Sequence, residues 1–265
     1  MILVSDTESD SFKFESQNLW CIVSYDPEAR IRMISVPYGE DIEEVDIDEH
    51  GVTQIYNSFE DHLKIMMSAD KVIMHNLFQH DYPLLRKLYP WFSLRMDQME
   101  DTAVLSRLFC PDRPPVKGCD RPHSLKAWGI RFKEYKGDFS DFSRFTPEML
   151  YYCIQDVVVG TKVWERLSTE RYGEDGFDKW DWEPSIKLEY AMALSQGKQE
   201  MRGVLLDVER AYDLVEEIQA EIDTVSEQIL AELPMRAVQV GATVSKPFKR
   251  DGTFTKMVLD WLEDA

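Results

Sequence analysis

The sequence predicts an α/β fold in which a sheet is flanked by helices, followed by an all-helical C-terminal extension. Short strand-type segments alternate with amphipathic helical segments along the first part of the chain, which favours an α/β sheet over a bundle or a sandwich. Beyond Gly173 the segments are long and amphipathic, with no strand signal. We therefore predict two regions, residues 1–177 and residues 178–265.

The predicted strands are rich in β-branched, aromatic and other apolar residues. Asp26-Pro27-Glu28 separates two of them and predicts a hairpin turn. The acidic stretch Glu40–Glu49 predicts a solvated loop or edge. The predicted strands cover residues 1–5, 18–25, 30–36 and 71–74.

The predicted helices follow from apolar spacing and capping residues. Phe59, Leu63, Met66 and Met67 recur at i, i+4, i+7 and i+8, which places them on one helical face. Thr146-Pro147-Glu148 has the N-cap, the proline and the acid typical of a helix start. Either Asp101 or Thr102 is expected to cap another helix. The predicted helices cover residues 59–69, 81–88, 101–109, 147–168, 184–201 and 208–233.

Composition limits the class of protein. The 265 residues include 44% hydrophobic residues, enough for a substantial core. The absence of a membrane-length apolar run and of a signal-peptide profile predicts a cytoplasmic protein without a membrane partner. The four cysteines do not have zinc spacing, so we expect reduced structural thiols. A net charge of −19 disfavours a protein that holds long duplex DNA by itself, because that binding relies on Lys and Arg.

Acidic side chains recur at three structurally distinctive places. Asp6 and Glu8 end the first strand, where period two places both on one face, and such a pair repels unless a cation lies between. Asp81 follows Asn76 at the junction of a buried strand and a helix, where the alternative is a helix N-cap. Tyr152 and Asp156 lie one turn apart on a late helix, where the alternative is a structural contact or a salt bridge.

In this order the three patterns resemble the exonuclease motifs of the DEDDy family of 3′→5′ exonucleases. Further segments resemble the proofreading domain of phage family-A replicative DNA polymerases, and a later one resembles the start of the polymerase region that follows it. These segments are VIMHNLFQHDYPLLRKL, EDTAVLSRLF, HSLKAWGIRFKEYKGDF, YYCIQDVVVGTKVWERL and, for the later one, LEYAMALSQGKQEMRGVLLDVERA.

The resemblance implies a ribonuclease H-like mixed sheet and a site for two Mg²⁺ or Mn²⁺ ions. It implies that Asp6, Glu8, Asp81 and Asp156 bind the metals and that Tyr152 orients the attacking water. It also implies a single-stranded DNA 3′ end as substrate and a polymerase domain or subunit as partner. The chain ends at Ala265 without polymerase palm motifs, so we expect either a shortened protein or a separate exonuclease subunit.

The substrate-binding residues implied by the resemblance are Thr7, through its backbone, Asn76 and His80. His80 departs from the family pattern, which has Phe or Tyr before the second-motif Asp. An imidazole beside Asp81 is expected to lower activity at acid pH.

A basic region lies between the second and third motifs. Residues 112–136 hold seven basic and three acidic residues, interleaved with His123, Trp128 and Tyr135. One interpretation is a contact surface for a single strand. The other is an ordinary loop whose Trp128 packs in the core.

The sequence is also compatible with two further functions. The same motifs fit an exoribonuclease of the same fold, and the chain could instead be a non-catalytic replisome interaction module. The polymerase-like C-terminal segment disfavours the first, and the presence of all four acids and Tyr152 disfavours the second.

Overall fold

A computed structural model describes residues 1–11, 15–37, 51–134, 139–172, 181–233 and 246–264. The acidic stretch Glu40–Glu49 and Tyr135 lie outside the described residues. The chain divides into two compact units, Met1–Val204 and Leu205–Ala265.

The first unit is built on a six-stranded mixed sheet with the order β4-β3-β2-β1-β5-β6. Strand β1 pairs antiparallel with β2 and parallel with β5. The turn that joins β2 to β3 begins at Asp26, whose carboxylate accepts hydrogen bonds from the Glu28 and Ala29 amides, as expected of an Asx turn. The strands are β1 Ile2–Ser9, β2 Leu19–Asp26, β3 Ile31–Ser35, β4 Thr53–Tyr56, β5 Lys71–Met74 and β6 Met99–Asp101.

Helices cover both faces of this sheet and form the second unit. The predicted capping residues are confirmed at two helices: Asp101 accepts from the Ala103 and Val104 amides, and Thr146 accepts from the Met149 amide. The helices are α1 Phe59–Ser68, α2 Asp81–Leu88, α3 Thr102–Phe109, α4 Leu125–Phe132, α5 Pro147–Tyr172, α6 Glu183–Arg202, α7 Val208–Glu232 and α8 Lys256–Asp264.

Strand alternation distributes the core between the two faces of the sheet. Leu3 and Ile22 pack on one face, with α1. Val4 and Val23 pack on the other face, against the N-terminal half of α5. The long helix α5 is thereby held against β1, which is the contact that brings the first and third motifs together.

Helix α6 belongs to the first unit by its packing. Ile186, Tyr190, Ala193 and Gly197 lie on its buried face, so the compact unit extends to Val204. The predicted division after residue 177 concerned the start of the polymerase-like region, and it stays a prediction. Among the helices the structure describes, none combines the length and apolarity needed to cross a membrane.

Candidate active site

The C-terminal half of β1 carries the first two acids. Asp6 is opposite Val23 and Glu8 is opposite Cys21 in the β1–β2 ladder, so the pleat directs both carboxylates to one face. Helix α5 crosses this face and adds a thiol: ligand atoms of Asp6, Glu8 and Cys153 all lie within 4.8 Å of one another. Among the described residues, these three form the group of Asp, Glu, Cys or His side chains whose ligand atoms are close enough to share one metal ion.

Cys153 lies at this site, although the cysteine spacing in the sequence predicts only reduced structural thiols. Its Sγ lies 3.8 Å from Asp6 Oδ2, a distance at which the thiol donates to the carboxylate. Burial, followed by the neighbouring Cys21 thiol and the nearby acids, raises the pKa of Cys153 well above its usual value. The thiol therefore stays protonated, which makes it a hydrogen-bond donor and a poor metal ligand. Its position three residues before Asp156, on the same helical face, was the available signal.

Asp156 enters the same region from α5. Its side chain is buried, and it lines a small cleft together with Asp6, His75 and Thr102. His75 Nδ1 and Thr102 Oγ1 are 2.9 Å apart, which ties the end of β5 to the start of α3 at the edge of this cleft.

Asp81 is held from the other side of β1. Thr7 Oγ1 donates to Asp81 Oδ1 at 2.6 Å, and the second carboxylate oxygen has no hydrogen-bond partner among the described residues. Burial raises the pKa of Asp81, against the opposing effects of His80 and of the Thr7 hydroxyl. The alternative of Asp81 as an N-cap is wrong, because His80 occupies the N-cap position and makes no side-chain capping bond.

The turn before Asp81 depends on an unusual backbone conformation. Asn76 has φ +72°, in the left-handed region where Asn is several-fold enriched. Its carbonyl accepts from the Gln79 and His80 amides, while its own amide donates to Asp101 Oδ1 at 3.1 Å.

Asp101 makes more contacts than those of the helix cap that the sequence predicts. Besides capping α3, it accepts from the Asn76 and Phe78 amides, so one carboxylate joins two segments. Burial raises its pKa to about 6, against the effect of these backbone donors. Tyr190 of α6 adds a further partner, since its hydroxyl accepts from the Asp101 amide at 3.2 Å and donates to Glu100 Oε2 at 2.6 Å.

Tyr152 lies among aromatic rings, one residue before Cys153 on α5. Its ring centroid is 5.8 Å from that of Phe139 and 6.4 Å from that of Phe142. Trp20 Nε1 donates to the Phe142 carbonyl at 2.9 Å, which attaches this segment to β2. The rings give Tyr152 an apolar wall on the side of residues 139–142.

Two arginines of the basic region, Arg113 and Arg131, make structural contacts around Trp128. Trp128 is 2% exposed, and Arg113 and Arg131 lie over its ring at 4.4 Å and 5.1 Å from the centroid. Arg113 also pairs with Glu170 at 2.7 Å, and Arg131 donates to the Pro114 and Pro122 carbonyls. The core interpretation of Trp128 is therefore confirmed, and a base-stacking role for this side chain is wrong.

The donor set suits a hard divalent cation. Oxygen ligands from Asp6 and Glu8 converge, and Asp156 shares a cleft with Asp6. Asp81 offers a buried oxygen that has no partner among the residues the structure describes. Asp81 and Asp156 are not part of the group of three described above: Asp156 shares a cleft with Asp6, and Asp81 is joined to β1 through Thr7.

Comparisons with known proteins define the class of fold. The structure of NrnC from Brucella melitensis is 15% identical to this chain, with a TM-score of 0.50, over 76% of this chain and 86% of that one. Escherichia coli RNase D, described as an exoribonuclease involved in structured RNA processing, is 15% identical with a TM-score of 0.49, over 77% of this chain and 46% of that one. The first likeness, at this identity, establishes the fold alone: a ribonuclease H-like mixed sheet flanked by helices.

Two curated sequences are more similar to this chain in sequence than these two structures are. The DNA-directed DNA polymerases of Escherichia phage T7 and Enterobacteria phage T3 are each 30% identical to this chain over 193 residues. The match covers 56% of this chain and 27% of each polymerase, so the chain spans about a quarter of the length of these relatives. No protein-family model matches the chain. The predicted fold class and the predicted resemblance to an exonuclease region of phage polymerases are thereby confirmed.

Proposed function

We propose that this chain is a metal-dependent 3′→5′ exodeoxyribonuclease that removes nucleoside 5′-monophosphates from single-stranded or mispaired DNA 3′ ends, as the proofreading part of a DNA polymerase. The observation that carries the proposal is the convergence of Asp6 and Glu8 beneath α5, with Asp156 in the adjoining cleft and Asp81 tied to β1 by Thr7. The relationship to two phage polymerases supports DNA as substrate and a polymerase domain or subunit as partner.

The four acids are the residues that would hold two Mg²⁺ or Mn²⁺ ions. Hard carboxylate oxygens suit both ions, and the repulsion between Asp6 and Glu8 falls when a cation lies between them. When bound, such ions lower the pKa of a coordinated water and stabilise negative charge on a phosphate under attack.

The remaining roles belong to side chains of the protein. Tyr152 orients the attacking water through its hydroxyl, and the rings of Phe139 and Phe142 restrict its movement. The Thr7 hydroxyl keeps Asp81 directed at the site. Asn76, His80 and the backbone near Thr7 hold the terminal nucleotide. This places the scissile phosphate next to the four carboxylates.

The cysteine has a supporting role at the same place. Its thiol donates to Asp6 and, being neutral, adds no charge to a site that already holds several carboxylates. Cys153 thus fixes the orientation of Asp6 from α5 without competing for the metal.

Digestion of a 5′-labelled single strand tests the proposal. With Mg²⁺ or Mn²⁺ we expect a ladder that shortens from the 3′ end, no products in EDTA, and almost no products from Asp6→Asn. Glu60→Gln is the matched control, because it removes an exposed acid of α1. Equal digestion by wild type and Asp6→Asn would refute the proposal, and faster digestion of RNA than of DNA with the same base order would replace it with exoribonuclease activity.

A further inference from the structure

A pocket of about 650 Å³ lies between α2 and α6, within the first compact unit. This volume is in the range of small-molecule binding sites. Its floor depends on Gly197, since a Cβ at this position would overlap the Phe78 carbonyl oxygen. The absence of a side chain there lets α6 approach the turn that precedes Asp81, while the longer side chains on either side remain apart and leave the pocket between them.

Four basic side chains line this pocket, and among the residues the structure describes no acidic one does. Lys198 and Arg202 lie one turn apart on the same face of α6. Arg86 and Lys87 are consecutive residues of α2, and both line the pocket. The chain as a whole carries a net charge of −19, so this is a local reversal of its charge. Four cations around one concave surface create a potential that attracts anions.

The basic groups of α2 are held in place before any ligand arrives. Arg86 Nη1 donates to the Pro90 carbonyl at 3.0 Å and to the Phe92 carbonyl at 2.8 Å. Lys87 Nζ donates to the Ser16 carbonyl at 2.6 Å. Within the described ranges, no carboxylate forms a salt bridge with Lys198 or Arg202. The charges of α6 are therefore available to an anion from outside.

The remaining lining gives the pocket an apolar part. Tyr82 contributes a ring that packs 6.2 Å from the Phe92 ring, and Leu194 and Met201 contribute side chains from α6. An aromatic ring and two apolar chains beside four cations match a ligand that combines a flat, largely apolar group with a phosphate.

We propose that the pocket between α2 and α6 binds a nucleotide unit, with its phosphate on Lys198, Arg202 and the basic groups of α2 and its base against Tyr82. This chemistry has two sources, a free nucleoside monophosphate or one unit of a nucleic acid strand. The site is separate from the carboxylates, because its α2 side chains project from a different face of that helix than the buried Asp81. The inference does not require the carboxylate site to be catalytic.

Calorimetric titration of dAMP in EDTA and low salt tests the inference without hydrolysis. We expect saturable binding, competition by inorganic phosphate, and about tenfold weaker binding of deoxyadenosine, which lacks the phosphate. Lys198→Gln and Arg202→Gln should each weaken dAMP binding several-fold, less than loss of the whole phosphate, because each removes one of the four cations that line the pocket. Lys187→Gln is the matched control, since Lys187 is exposed on the same helix about 16 Å away along its axis.

An oligodeoxythymidylate titration distinguishes the two sources. If a strand is the ligand, the oligonucleotide binds more tightly than dAMP, and Lys198→Gln lowers the slope of log K against log salt by about one. If a free nucleotide is the ligand, dAMP binds more tightly than the oligonucleotide.

Equal dAMP affinity in Lys198→Gln, Arg202→Gln and Lys187→Gln would overturn the inference, as would equal binding of dAMP and deoxyadenosine. A failure of the exonuclease assay would leave these titrations unaffected, so the two proposals fail separately.

Discussion

The Thr7 hydroxyl donates to Asp81 at 2.6 Å across 74 residues of sequence, and this bond joins the first motif to the second. Thr7 lies between Asp6 and Glu8, but its side chain points to the opposite face of β1, as strand alternation requires. One short strand therefore presents two acids on one face and positions a third acid from the other. The other Asp81 oxygen is buried without a partner among the described residues, so the Thr7 hydroxyl is the side-chain donor that this acid has there.

Thr7→Val should destabilise the protein at neutral pH by about 1–3 kcal/mol, because a buried carboxylate loses its hydrogen-bond donor while the shape of the side chain is kept. The pKa of Asp81, already raised by burial, should rise further. Urea unfolding measures the stability. Thr7→Ser retains the hydroxyl and serves as the control, so equal destabilisation by the two variants would show that the bond to Asp81 is not the cause.

Mn²⁺ should raise the melting temperature of the wild-type protein. Binding to the native acids stabilises the fold by mass action, by about 2.7 kcal/mol at one hundred times the dissociation constant, which corresponds to about 5 °C or more. Asp6→Asn should abolish most of this shift and Glu60→Gln should leave it intact, as measured by calorimetry with and without the ion. A full shift in Asp6→Asn would show that the ion binds elsewhere.

Substitutions of Asn76 should separate its backbone role from its proposed substrate role. At φ +72° Ala is strained, so Asn76→Ala should lose about 1 kcal/mol of stability, whereas Asn76→Gly should lose less. If the side chain holds the terminal nucleotide, both variants should raise the KM of the exonuclease reaction to the same extent. An unchanged KM in Asn76→Gly would leave Asn76 with the backbone role alone.

Local pattern was sufficient to predict most elements and the pairing of Asp6 with Glu8, because strand alternation and helix capping depend on neighbouring residues. Long-range contacts were not predictable in the same way. Cys153 lies against Asp6 because α5 packs on β1. Its spacing to Asp156 places it on the face of the third motif, but that spacing does not give its distance to Asp6. Trp128 looked available for stacking because basic residues surround it, yet two of them, Arg113 and Arg131, lie over its buried ring.

The hydrogen bonds around Asp101 are a second case of long-range contacts that local sequence pattern does not predict. Tyr190 is 89 residues from Asp101 in sequence and lies beyond the predicted end of the exonuclease domain, yet its hydroxyl contacts both Asp101 and Glu100. The predicted boundary was placed at a change in sequence composition. The buried face of α6 packs within the first unit, so that unit extends past this boundary.

Tyr190→Phe should destabilise the first unit by about 1–3 kcal/mol, because Glu100 is buried and loses a hydrogen-bond donor. Lys71, at 3.0 Å, and Arg171, at 3.5 Å, remain near the Glu100 carboxylate and limit the loss. Urea unfolding measures it, and Tyr151→Phe is the control, since that ring is 51% exposed on α5. If the two variants have the same stability, the contact between α6 and β6 does not depend on this hydroxyl.

Acidification should weaken the fold through His62, which is buried between two serines. Its Nδ1 is 2.9 Å from Ser35 Oγ and its Nε2 is 2.8 Å from Ser24 Oγ, and burial lowers its pKa from 6.5 to about 4. Between these two values the unfolded chain binds a proton that the folded chain does not, so the contribution of His62 to stability is complete above pH 6.5 and falls as the pH decreases towards 4.

The size of this effect can be isolated with His62→Gln, which cannot titrate. That variant should be less stable than wild type at pH 7.5, because the two serines lose a shared partner, but wild type should lose about 2 kcal/mol more than the variant between pH 7.5 and pH 5. Urea unfolding of both proteins at the two pH values gives the difference directly, since the titrating carboxylates are common to both. Parallel pH dependences would mean that the imidazole accepts its proton in the folded protein as readily as in the unfolded chain, and that burial at this position does not govern its charge.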